Sequence, residues 1–280
     1  MSCGTSVPSP GCTDALTWAN VVPVTDRPPL DLDRLVTPTD WSVEVLDEAP
    51  STNAVVADRA RSGAGEGLVV VAEHQTAGRG RLDRTWETPA RSALTVSVLL
   101  TPRAPASDWP WLPLLTGYAA ALALRRLGAP AALKWPNDVL LEDRKLAGIL
   151  TERIELAGGP AVVVGIGINV GMTADELPLE TATSLAVEGY DVDRTELLSA
   201  LLERLRTEYD AFERGELGAL RTAYAGACAT VGREVRVELP TGSTLSGEAT
   251  GIDEGGRLLV AGPDGVVPVS AGDVVHATIT

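Results

Sequence analysis

Leu133-Lys134-Trp135-Pro136-Asn137-Asp138-Val139-Leu140-Leu141-Glu142-Asp143-Arg144-Lys145-Leu146-Ala147-Gly148-Ile149-Leu150 is the stretch on which the fold turns. Residues 133–135 read as a short strand, 136–138 as a bend in it, and 139–141 as its continuation. Glu142-Asp143-Arg144 reads as a hairpin tip, with 145–155 as the returning strand. The stretch also holds the chain's only two lysines, Lys134 and Lys145, against 21 arginines. Asparagine (Asn20, Asn53, Asn137, Asn169) and glutamine (Gln75) are almost as rare. The Arg, Ala, Val and Gly excess indicates a coding bias that replaces Lys by Arg wherever the exchange is harmless. On that reading a surviving lysine marks a place where a compact ammonium serves and a planar guanidinium does not; the alternative is chance retention at two solvated sites. On this hairpin the two lysines are expected on paired or neighbouring strands.

Working outward, 280 residues can bury a large core and leave room for a small second domain. With 45% hydrophobic and 22% charged residues the composition is that of a globular protein. No apolar run reaches the ~18 residues of a membrane helix, and no signal-peptide pattern opens the chain. The cytoplasm is the expected compartment. Three cysteines (Cys3, Cys12, Cys228) support neither a disulfide framework nor a zinc site. The net charge of −15 argues against general nucleic-acid affinity but leaves room for a local anion pocket.

Residues 1–38, with prolines at 8, 10, 23, 28, 29 and 38, read as a partly flexible leader that contains no helix-turn-helix. A strand at 41–46 is followed by Ser51-Thr52-Asn53, with Ser51 as N-cap of a helix running to Arg61. Residues 67–73 form a buried strand. His74-Gln75-Thr76-Ala77-Gly78-Arg79-Gly80-Arg81-Leu82-Asp83-Arg84-Thr85-Trp86-Glu87-Thr88-Pro89 is then a loop of about 15 residues, a length usually functional or disordered. Gly78 and Gly80 would let backbone N–H groups approach a ligand, and its three arginines suit carboxylate or phosphate.

A strand at 92–100 and an apolar helix at 112–127 follow. The strand at 161–169 carries Gly165 and Gly167 on one side, which indicates either tight packing or close approach to the backbone. Asp193-Arg194-Thr195-Glu196 begins a helix to Phe212, and a second spans 217–228. From residue 230, short strands and regular Gly turns indicate a small β-barrel, read as an accessory module. The domains are thus 1–38, 39–229 and 230–280.

The two histidines, His74 and His276, are isolated, and no Gly-x-Ser-x-Gly, P-loop or dinucleotide fingerprint occurs. What remains is a cationic set (Arg79, Arg81, Arg84, Lys134, Lys145) with the amides of Asn53, Gln75, Asn137 and Asn169. Such a set suits phosphoryl or nucleotidyl transfer, where positioning and charge neutralisation dominate. Asp138 beside it is a natural Mg²⁺ or substrate ligand.

Three motifs in order carry a resemblance. Gly78-Arg79-Gly80-Arg81-x-x-Arg84-x-Trp86-x-x-Pro89 resembles the adenylate-binding loop of biotin–protein ligases. Lys134-Trp135-Pro136-Asn137-Asp138 with Lys145-x-x-Gly148-Ile149-Leu150 resembles that family's second signature, and Gly165-Ile166-Gly167-Ile168-Asn169 its third. Ser51-Thr52-Asn53 and Gln75 match its biotin-contacting positions, and the C-terminal segment matches its SH3-like domain, so the likeness spans 45–280. It implies an α/β (α+β) fold: a mixed-sheet catalytic domain like that of class II aminoacyl-tRNA synthetases, plus the SH3-like barrel.

The resemblance implies that biotin's carboxylate attacks the α-phosphate of Mg·ATP, and that a carrier-protein lysine then attacks the biotinyl-5′-adenylate. Lys134 and Arg79 would be catalytic, with Lys134 touching carboxylate and α-phosphate. Biotin would meet Ser51, Thr52, Asn53 and Gln75, then Arg79, Gly80, Arg81, Lys134, Gly148 and Gly167. The nucleotide would meet Arg81, Arg84, Trp86, Asn137, Asp138, Lys145 and Asn169, with Asp138 on Mg²⁺. Trp86 and Trp135 would form apolar walls. Lys145 fits a structural pairing nearly as well as a phosphate contact. The implied partner is a biotin carboxyl carrier protein or the carrier domain of a biotin-dependent carboxylase. The ligase is expected to be a monomer or weak homodimer without DNA or membrane. Leu82-Asp83 departs from the pattern by placing an acid within the arginine loop. A lipoate–protein ligase of the same fold, a biotin-sensing repressor and a Gly-Arg RNA binder are the rival readings.

Overall fold

The computed structural model describes Met1 and residues 27–81, 84–239, 242–263, 265–270 and 272–276. Its central strand, β7 (Gly159–Asn169), shows how the sequence makes a two-faced sheet. Val162, Val164, Ile166 and Ile168 point to one side and join the main core. Ala161 and Val163 point to the other and join a smaller cluster, followed on the same side by Gly165, Gly167 and Asn169.

The remaining elements, in chain order, are β1 (Ser42–Leu46), α1 (Thr52–Arg61), β2 (Leu68–Ala72), β3 (Ala93–Leu100), α2 (Trp111–Arg126), β4 (Ala132–Lys134), β5 (Asp138–Leu141), β6 (Arg144–Leu156), α3 (Arg194–Glu213) and α4 (Leu217–Ala227). The seven strands form one mixed sheet in the order β1-β2-β3-β7-β6-β5-β4. Only β1 and β2 run parallel. Leucines and alanines of α2 and α3 bury the sheet's main face. Of the helices, only α1 covers the opposite face, through Val56 and Ala60 against Val70, Leu99, Ile154 and Val163. A ten-residue helix cannot cover seven strands, so the rest of that face lies open.

The structure corrects the bend expected at 136–138. β4 and β5 are two antiparallel strands, with Lys134 opposite Asp138, and Trp135-Pro136-Asn137 is the turn between them. The order β6-β5-β4 therefore puts one strand, carrying Asp138, between Lys134 and Lys145. The next turn is as expected: Glu142 and Asp143, both at positive φ (49° and 59°), join Leu141 to Arg144.

The leader ends earlier than residue 38. Glu73 and Arg194 form a buried ion pair at 2.6 Å, and each also holds the chain near residue 30. Leu30 N donates to Glu73 Oε1 at 2.6 Å, and Arg194 Nη2 donates to Pro28 O at 2.7 Å. The chain at Pro28 and Leu30 is thus held against the large sheet's unit, while 2–26 lie outside the described residues.

The C-terminal strands β8 (Glu234–Glu238), β9 (Thr244–Ile252), β10 (Leu258–Gly262), β11 (Gly265–Val269) and β12 (Asp273–His276) form an antiparallel sheet ordered β11-β10-β9-β8-β12. It shares one core cluster with the large sheet. Trp111 Nε1 donates to Glu254 O at 2.8 Å and Trp135 Nε1 to Gly256 O at 3.0 Å, so two buried indoles join the units. Trp135 is therefore a seal between sheets, not a wall of the site.

Candidate active site

The open part of the sheet is the floor of a cleft of about 560 Å³. Register aligns Thr95 and Ser97 of β3, Gly167 and Gly165 of β7, and Gly148 and Leu150 of β6 across it. The glycines are explained by what lies on them. A Cβ at Gly167 would meet the Trp86 ring at 2.6 Å, and one at Gly148 would meet it at 3.2 Å. A Cβ at Gly165 would overlap the Asn53 carboxamide. Close approach is thus the reason for Gly165 and Gly167, and a helix asparagine and a loop tryptophan make it.

α1 delivers the polar end of the cleft. Ser51 is its N-cap, as expected, but its hydroxyl makes no cap hydrogen bond and lines the cleft. Thr52 N donates to Gln75 Oε1 at 2.8 Å, which fixes the Gln75 carboxamide with its nitrogen uncommitted. Asn53 is buried and donates from Nδ2 to Leu150 O (3.3 Å) and Glu152 Oε2 (2.7 Å). Its Oδ1 accepts from Ser97 Oγ at 2.6 Å.

The loop after Gln75 folds over the floor, with a bridge between Arg79 and Thr85. Trp86 N donates to Gly78 O and Gly80 N to Arg84 O, so these glycines serve the loop's own closure. A Cβ at Gly78 would run into the Trp86 carbonyl. Each described arginine has a protein partner. Arg79 Nη2 lies 2.9 Å from Glu152 Oε2, Arg81 Nη1 donates to Asn137 Oδ1 at 2.9 Å, and Arg84 pairs with Asp273 of β12. Asn137 is itself pinned, its Nδ2 donating to Ile149 O at 2.9 Å. Asn169 Nδ2 donates to Thr183 O at 2.9 Å and also borders the cleft. Leu82 and Asp83 lie outside the described residues.

Lys145 Nζ lies 2.7 Å from Asp138 Oδ1 and 5.8 Å from the Trp86 ring centroid. The pairing is a charge contact off the hydrogen-bond line, since Oδ1 is buried without an aligned donor. The Lys134 ammonium makes no hydrogen bond or ion pair among the described residues. Burial pushes its pKa below the ordinary lysine value; Asp138 and Asp273 oppose the shift and Lys145 adds to it. No cluster of three or more His, Cys, Asp or Glu able to hold a metal occurs among the described residues. Asp138, the residue expected at a magnesium ion, is engaged by Lys145.

Sequence reasoning missed several contributors. Glu152 falls on the Gly148 and Leu150 face by strand alternation, a signal that was there to use. Pro178, Leu179, Thr181 and Ala182 form a wall through the bridge of Lys145 with Ala182, which no local pattern announces. Asp273 and His276 come from the C-terminal sheet, which is therefore part of the site.

His276 has a defined tautomer. Arg233 Nη1, which can only donate, lies 3.3 Å from Nδ1, so Nδ1 carries the lone pair. Nε2–H then donates to Thr230 Oγ1 at 3.0 Å, which also accepts from Trp135 N at 3.2 Å. Burial, Lys134 and Arg233 push the His276 pKa down to about 4 against the opposing pull of Asp143.

The sequence pattern of the Biotin/lipoate A/B protein ligase family matches residues 45–169, and that of the Biotin protein ligase C terminal domain matches 230–277. The chain is 39% identical over 262 residues to the Biotin--[acetyl-CoA-carboxylase] ligase of Mycobacterium tuberculosis, covering 89% of this chain and 97% of that protein. It is 32% identical over 241 residues to the protein of the same name from Paracoccus denitrificans, covering 82% and 98%. Among solved structures, the biotin protein ligase from Aquifex aeolicus in complex with biotin and ATP superposes with a TM-score of 0.74 at 28% identity, covering 84% of this chain and 99% of that one.

Proposed function

This chain belongs to the biotin–protein ligases of the Biotin/lipoate A/B protein ligase family, and from that premise we propose how its cleft works. The reaction is the ATP-dependent attachment of biotin to a lysine of a carboxylase carrier. A biotin carboxylate oxygen bonds to the α-phosphorus of ATP, the bridge to the β-phosphate breaks, and pyrophosphate leaves. The carrier lysine's neutral ε-amine then attacks the acyl carbon of biotinyl-5′-adenylate. AMP departs and the amine gives up a proton.

One observation supports the assignment of roles. Arg79, Arg81, Arg84 and Lys145 each have a protein partner, while Lys134 has none among the described residues. Two anions must meet in the first step, and an uncommitted ammonium is the charge that can bridge them without first breaking another bond. Lys134 therefore sits between carboxylate and α-phosphate. Ser51, Gln75 and the floor glycines hold the acid's polar and ring parts, and Arg81, Arg84, Trp86, Asn137 and Asn169 border the nucleotide. A cleft whose end is lined by Ser51, Thr52 and Gln75 favours an acid with a polar ring. An apolar dithiolane there leaves donors unpaired.

ATP–pyrophosphate exchange with biotin, lipoate and octanoate tests the assignment. Exchange is expected with biotin; exchange with lipoate but not biotin overturns it. The carrier is a biotin carboxyl carrier protein or domain, and the enzyme works in the cytoplasm as a monomer or weak homodimer without binding DNA. No described helix is long and apolar enough to cross a membrane. Filter binding at low salt that detects a tight operator complex would reverse the DNA statement.

A further inference from the structure

We propose that Glu152 is a positioning residue of this site, one that sets the amide of Asn53 and holds Arg79 on the cleft floor; the proposal rests on the ligase reading above. A single carboxylate oxygen, Oε2, receives Asn53 Nδ2 at 2.7 Å and Arg79 Nη2 at 2.9 Å. By itself an exposed Arg–Glu pair contributes little. Here the same oxygen also holds a buried side chain, and that connection propagates.

A carboxylate only accepts, so Asn53 must turn its nitrogen to Glu152 and its oxygen to Ser97. Ser97 has one hydroxyl proton, and it goes to Asn53 Oδ1 at 2.6 Å. Ser97 Oγ also lies 2.7 Å from Thr52 Oγ1, whose own hydroxyl donates to Gln75 Oε1 at 3.2 Å. Thr52 in turn fixes Gln75 through its backbone N–H at 2.8 Å. The chain Arg79–Glu152–Asn53–Ser97–Thr52–Gln75 runs beneath the cleft and begins and ends in the same loop. Glu152 thus gathers Asn53, whose amide borders the cleft the bound acid enters, and the loop's first arginine at one point beneath that cleft. Glu152 reaches the ligand only through these neighbours.

Glu152→Gln keeps size but loses the charge that holds Asn53 Nδ2 and Arg79 Nη2 on one oxygen. In ATP–pyrophosphate exchange the KM for biotin should rise about tenfold, with kcat within about threefold and the KM for ATP within about twofold of wild type. The loss in kcat/KM in Glu152→Gln with Arg79→Ala should be smaller than the product of the two single losses, since both act through one contact. A KM for biotin within about twofold of wild type, or losses that simply multiply, overturns the proposal. Should Glu152→Gln fail to fold, Glu152→Asp, which keeps charge and loses reach, is read the same way. Wild-type exchange with lipoate or octanoate instead of biotin overturns the substrate assignment, and Glu152 is then measured on that acid. Wild-type exchange with none of the three overturns both.

Discussion

The Asn53 carboxamide lies directly on the backbone of Gly165, in the space a side chain there would occupy. Helix and sheet therefore touch through an amide on one side and bare backbone on the other. Gly165→Ala should displace Asn53 and lower stability by ~1–3 kcal/mol, the usual range for overpacking. Thermal unfolding measures this, and the KM for the acid should rise in step. An unchanged melting temperature contradicts the contact.

Lys134→Ala should fold normally and lose more than tenfold in the rate of adenylation, a barrier increase above ~1.4 kcal/mol. Lys134→Arg should recover little, because a planar fork does not replace a point charge between two anions. A kcat for either variant within tenfold of wild type removes Lys134 from the chemistry.

Glu73→Ala leaves Arg194 charged at 9% exposure with its main partner gone. Removing one member of a buried pair costs ~3–5 kcal/mol. Urea unfolding should show a loss of this size, and limited proteolysis should release the segment around Leu30, whose backbone N–H also loses its acceptor.

His276 gives a pH signature. Its folded pKa of about 4 lies below the ordinary value of 6.5, so the unfolded chain binds more protons between them. The stability tied to the neutral ring is complete above the ordinary value and is lost as pH falls toward about 4. Urea midpoints of wild type and His276→Gln should converge as pH is lowered through this window, with wild type falling faster. Parallel curves contradict a lowered His276 pKa.

Long periodic elements were legible from the sequence. The apolar stripes of α2 and α3, the runs of β3 and β7 and the spaced turns after residue 230 lie where periodicity put them. The Trp135-Pro136-Asn137 turn was misread because strands of three and four residues are too short to show alternation. The segment around Leu30 read as part of a flexible leader because its partners, Glu73, Arg194 and Thr195, lie far along the chain. The rare residues Asn53, Gln75, Asn137, Asn169, Lys134 and Lys145 all line one cleft. Glu152 stayed hidden since an acid on an alternating strand looks like an ordinary solvated residue. His276 stayed hidden since its partners Thr230 and Arg233 lie more than 40 positions away.

The two indoles that reach Glu254 and Gly256 make the chain indivisible as a product. A fragment ending at residue 229 would present Trp111 and Trp135, both fully buried in the whole protein, as sticky surface beside the lysine hairpin. Such a fragment should aggregate rather than act as a minimal ligase. A chimera that borrows another protein's C-terminal sheet needs a turn with two carbonyls in these places before Lys134 can be held where the chemistry needs it.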